Sequence, residues 1–81
     1  MTSLSKDSQL AIQAARILID DRDPVADRGE VMVTLERLVT LVLLAVMEQK
    51  PRAAAAMLTE GLAPGVESRL ALYASKQAGK R

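Results

Sequence analysis

The chain has 81 residues, 49% hydrophobic and 26% charged, with 11 Lys and Arg against 10 Asp and Glu; these values predict one small globular domain of net charge +1 rather than a disordered or strongly basic chain. Cysteine and histidine are both absent, which excludes a disulfide framework, thiolate and zinc-thiolate chemistry, and the usual general base near neutral pH. A domain of this size buries only about 60% of the surface its unfolded form exposes, so without a staple it gains from a partner or a second copy.

Alanine (13), leucine (12) and valine (7) dominate, and Tyr73 is the only aromatic residue. A core of aliphatic side chains and alanine suits close helix packing better than a sheet. The expected fold is therefore all-α: a compact bundle of four to five short helices around a central apolar helix, forming a single domain over 1–81 with a frayed basic tail at 78–81. The segment from Met1 to Asp7 lacks the apolar stretch of a signal peptide, and a cytoplasmic location is expected.

The first helix is predicted from about Ser5 to Asp21, with Ser3 or Ser5 as N-cap and Asp7 favourably placed in the first turn. Leu4, Ala11, Ile12, Ala15, Leu18 and Ile19 share one face, read as core. Leu10, Ala14 and Ile17 form a narrower apolar stripe on roughly the opposite side, which something should cover. Asp23 before Pro24 ends this helix and can cap a short turn over Pro24–Arg28. Asp27 and Glu30 read as the cap of the next helix, with one longer helix from Pro24 as the alternative.

The central element continues to about Gln49. Its stretch from Leu38 to Met47 holds a single polar residue, Thr40. A membrane span needs about 20 apolar residues, whereas Glu36 and Arg37 lie immediately before this one, so it reads as a buried helix. At 100° per residue, Val31, Leu35, Leu38, Val39, Val42, Ala45 and Val46 fall on a broad face expected to be the core. The other side carries Glu36, Arg37, Thr40 and Glu48, together with Val33, Leu41, Leu44 and Met47. Either the chain's own helices wrap this side, or it forms an apolar groove for a partner helix. In the second reading Leu41, Leu44 and Met47 make the contact, Val33 and Met57 extend it, and Leu10 and Ile17 join if the first helix lies alongside. Glu36 and Arg37 set register at the rim.

Pro51 opens a helix predicted to run to Glu60, with Gly61 as the residue after its end. A last helix is predicted from Pro64 to Gln77. Residues 41–81 hold 6 Lys and Arg against 3 Asp and Glu, whereas residues 1–40 hold 5 against 7. This basic half resembles a helix-turn-helix, with Glu67, Ser68 and Arg69 at the start of a recognition helix. Arg52, Ser68, Arg69 and Lys76 are the nucleic-acid contacts of that alternative. A net charge of +1 is weak for a phosphate binder, and direct DNA binding ranks behind a protein partner.

Other chemistries fit poorly. Counting Asp21 as the first position of a calcium loop puts Ala26 where the turn glycine belongs and Met32 where the bidentate glutamate belongs. No catalytic residue, metal or cofactor is expected, and the chain reads as a non-enzymatic interaction module.

In size, helix order, apolar central helix and Leu/Ala/Val-rich, Cys-free character, the chain resembles the small antiactivators of the QseM type, which hold quorum-sensing transcription activators inactive on rhizobial conjugative elements. The resemblance covers the whole chain as an architecture and assigns no individual residue a role. It implies a transcription-regulating, conjugative-transfer context in which an activator is sequestered by protein contact without DNA contact. A structural homodimerisation module is the remaining alternative.

Overall fold

The computed structural model describes residues 5–78; Ser3 and Leu4, named above as cap and core, and the tail from Gly79 lie outside the described residues. All regular structure among the described residues is helical: α1 Lys6–Ile19, α2 Arg28–Val46, α3 Pro51–Met57, a π-helical turn Leu58–Leu62, and α4 Ala63–Ala78. The last three follow one another without a break, so the described residues form three helical runs instead of the expected four or five helices. It divides into two compact units, one up to Val39 and one from Thr40, with the division inside α2.

In the first unit, Ser5 caps α1 by accepting the Ser8 N–H on its hydroxyl at 3.1 Å. The helix ends where Asp20 adopts φ 58° and ψ −130° while its N–H still reaches the Arg16 carbonyl. Arg22 folds back over that end: its guanidinium donates to the carbonyls of Ile19, at 3.2 Å, and Leu18. It also donates to Thr34 Oγ1 on α2 at 3.2 Å. Carbonyls left without intrahelical partners at a helix C-terminus are natural acceptors for such a cation. The turn Pro24–Asp27 is capped as expected by Asp23, whose carboxylate accepts the N–H groups of Val25 and Ala26 at 2.9 and 3.0 Å. Asp27 does not cap α2 with its side chain, because that carboxylate accepts the Asp23 N–H at 3.1 Å.

In the second unit, α2 stops at Val46, short of the expected Gln49. Glu48 and Gln49 both take left-handed backbone conformations, φ 57° and 62°, and the Gln49 N–H closes on the Leu44 carbonyl at 2.7 Å. Pro51 then occupies the first turn of α3, where its missing N–H costs nothing. This return lays α3 against the end of α2. Leu43 and Ala54 are the two buried hydrophobic residues among those described, at 8% and 7% exposure.

Gly61 does not end a helix. No described glycine has positive φ, and the Ala63 N–H bonds the Leu58 carbonyl five residues back, the signature of a widened π turn. The cause lies in Pro64, which has no N–H to donate and whose ring would strike the Glu60 carbonyl in α geometry. One widened turn absorbs both conflicts, and the helix continues through.

Candidate functional site

The core expected on α2 is not where burial falls. Of that face only Val31 and Val39 are half-buried, whereas Leu35, Leu38, Val42, Ala45 and Val46 are exposed. The α3 return covers the opposite side, holding Leu43 buried and Leu44 and Met47 half-buried. Because α2 is apolar around most of its circumference, its own pattern could not say which side the return would take. On α1, Leu18 and Ile19 are half-buried as core residues, while Ala11, Ile12 and Ala15 stay exposed.

The apolar residues singled out from the sequence fall into separate places. Leu44 lines an open groove of about 280 Å³ with Thr40, Leu43, Pro51, Ala54, Ala55 and Leu58. Met47 and Met57 come together in another, of about 340 Å³, walled by Ala53, Ala56, Glu60 and Gly61. The alanines let the methionines approach, and a Cβ on Gly61 would lie 2.7 Å from Met57 Sδ. Leu41 lines neither groove and is 66% exposed. One helical step of about 60° beyond Leu44 carries it past the rim.

The first unit holds two further concavities. Ala14, Ile17, Leu18, Thr34 and Leu38 line an almost wholly apolar groove of about 350 Å³ between α1 and α2. Val33 and Arg37 instead line a cleft edged by charge, with Arg22, Gly29, Glu30 and Thr34. The sequence reading missed the α1–α2 groove as a unit, although its Leu10, Ala14 and Ile17 stripe had marked one wall. Leu10 and Ile17 are exposed, Ile17 at 79%, and Glu36 is an exposed residue of α2.

The basic candidates are also exposed. Arg69 and Lys76, seven residues apart, share one side of α4, with Ser68 about 100° around from Arg69, and Arg52 sits on α3. Lys76 Nζ lies 5.8 Å from the Tyr73 ring centroid. With the segment from Pro51 to Ala78 helical throughout, the turn required by a helix-turn-helix is missing.

Two acidic side chains around Pro24 serve backbone capping. Asp23 and Asp27 accept N–H groups of the turn they enclose, and these bonds from Ala26 and Val25 hold the Asp23 carboxyl below its ordinary pKa. No grouping of acidic side chains suited to a metal ion occurs among the described residues, and no described helix is long and apolar enough to cross a membrane. What the surface offers chemically is apolar area edged with charge. No family model matches the chain, and neither a curated protein nor a solved structure does so.

Proposed function

We propose that the chain is a non-enzymatic interaction module whose apolar helix faces are completed by another polypeptide, acting in the cytoplasm as a regulator that sequesters a transcription activator. One observation carries the reading. Among the described residues two hydrophobic side chains are buried, while eighteen large hydrophobic ones are exposed. Isolated exposed apolar residues are ordinary, but several lining the same grooves and helix stripes mark an interaction surface. Removing that area from water is the driving force, so binding withstands moderate salt. The face of α2 that carries Leu35, Leu38, Val42 and Val46, expected from sequence to be core and found exposed, is then covered by the partner.

The quorum-sensing antiactivator role enters through the resemblance described above, which supports capture by protein contact. Affinity capture of the tagged chain from nuclease-treated native lysate tests the reading. The expected result is a stoichiometric transcription factor retained at moderate salt and lost with Leu41→Asp, a variant whose helicity by circular dichroism stays unchanged because Leu41 is exposed. Retention of nucleic acid in the untreated lysate, with affinity falling steeply as salt rises, would overturn it in favour of DNA binding through Arg52, Arg69 and Lys76.

A further inference from the structure

We infer that the apolar groove between α1 and α2 receives α4 of a second copy of this chain, and that the basic end of α4 then lies against the acidic segment following α1. This names the partner of one apolar surface and rests on the interaction-module reading. Two observations carry it: an apolar groove in one half of the chain and an uncovered apolar helix stripe in the other, and the opposite charges that accompany them.

The groove is apolar on both walls, with Ala14, Ile17 and Leu18 from α1 and Leu38 from α2. Ala14 leaves room for a large side chain, and Ile17 stands 79% exposed beside it. The helix it would receive presents Val66, Leu70 and Tyr73 at i, i+4 and i+7, the spacing with which a helix anchors in a groove. These three are 46%, 61% and 67% exposed. The 14 residues of α1 and 16 of α4 make rods of about 21 and 24 Å, so the two match in length.

Charge selects the occupant and its direction. Residues 1–40 sum to −2 and residues 41–81 to +3, so each copy carries both halves of a complementary pair. The net charge of +1 leaves little long-range repulsion between copies. Running α4 parallel to α1, with Leu70 level with Ala14, brings Tyr73 level with Ile17. Six residues beyond Leu70 and Ala14, Lys76 then stands level with Asp20, the residue that ends α1, with Asp21 next in the chain. Lys76 is already held next to the Tyr73 ring. Two copies that exchange the contact each supply one groove and one α4.

The absence of cysteine from the chain permits a direct test. Full-length Ile17→Cys chain is mixed with full-length Tyr73→Cys chain and treated with a short bismaleimide, and sedimentation equilibrium is run on the unmodified protein. The expected results are a dimer and a cross-link joining the two different variants. Lys76→Glu and Asp21→Lys should each weaken self-association roughly tenfold at low salt, and mixing the two variants should restore it in part. A dimer that links Tyr73→Cys only to itself, or shows no charge-swap rescue, overturns this surface. A monomer at all concentrations overturns the second copy as occupant. In that case, salt-resistant capture of another protein, lost with Leu41→Asp, leaves the interaction-module reading standing, whereas its absence removes both.

Discussion

Arg22 donates to Thr34 Oγ1 at 3.2 Å while the Thr34 hydroxyl donates to the Glu30 carbonyl at 3.1 Å, so one guanidinium joins the end of α1 to the second turn of α2 through a hydroxyl already anchored on its own helix. The same guanidinium satisfies the Leu18 and Ile19 carbonyls. A planar fork of fixed donors can serve three acceptors at once, which an ammonium on a flexible stem does poorly.

Arg22→Ala is accordingly expected to lower stability by roughly 1–2 kcal/mol, the scale for hydrogen bonds from a charged group at a half-exposed site, and Arg22→Lys should recover less than half of that. Thr34→Val should cost less than Arg22→Ala, since the two carbonyl bonds survive. Urea denaturation of the three variants measures the order, and equal losses for Thr34→Val and Arg22→Ala would contradict it.

The Asp23 carboxyl is held below its ordinary pKa of 3.8 by the N–H groups of Ala26 and Val25. A carboxyl whose folded pKa is depressed contributes stability that is present above its unfolded pKa and is lost as pH falls through the folded value. The stability difference between the natural chain and Asp23→Ala should therefore be constant near neutrality and shrink below pH 3.8. Thermal melts of both chains across that range give the comparison; a difference independent of pH would mean that the ionised cap adds nothing.

Asp20 holds φ 58° with ψ −130°, a region that L side chains enter at a cost and glycine enters freely. Asp20→Gly is expected to raise stability by about 1 kcal/mol through relief of that strain, whereas Asp20→Val should lower it. A melting temperature unchanged in both variants would show that the backbone there is not constrained.

Pro64 explains the π turn, so Pro64→Ala should restore an unbroken α ladder from Pro51 onward and stabilise that helical run by roughly 1–3 kcal/mol. Removing a π turn also rotates α4 by about 100° relative to α3, moving Val66, Leu70 and Tyr73 away from their present alignment with α3. Amide hydrogen exchange should show new protection around Glu60 to Pro64. Unchanged exchange there would assign the widened turn to another cause.

Several local features were legible because they depend on neighbours in sequence. Ser5 and Pro51 mark their helix starts, and Asp23 caps a turn, through bonds spanning two to four residues or through a fixed φ. Gly61 misled for the same reason: a glycine before Leu-Ala-Pro reads as a helix end, yet a π turn offers the backbone another solution that local propensity does not weigh. Met47 and Met57, expected beside Leu41 and Leu44, line a groove of their own. Leu41 has the spacing to share a face with Leu44 and parts from it at the rim.

The sequence by itself determined the helical class and the starts of α1 and α3, because β-favouring aromatics are nearly absent and proline and capping side chains act locally. The sequence also excludes thiolate chemistry and an imidazole base, since cysteine and histidine are both absent. Tertiary structure alone decided which side of α2 is covered. With apolar residues around most of that helix, several faces offer comparable gains from burial, and the left-handed pair Glu48 and Gln49 steers the return of α3 onto Leu43, Leu44 and Met47. Burial energy is non-directional, so a nearly uniform apolar helix needs the geometry of its turn to choose a face.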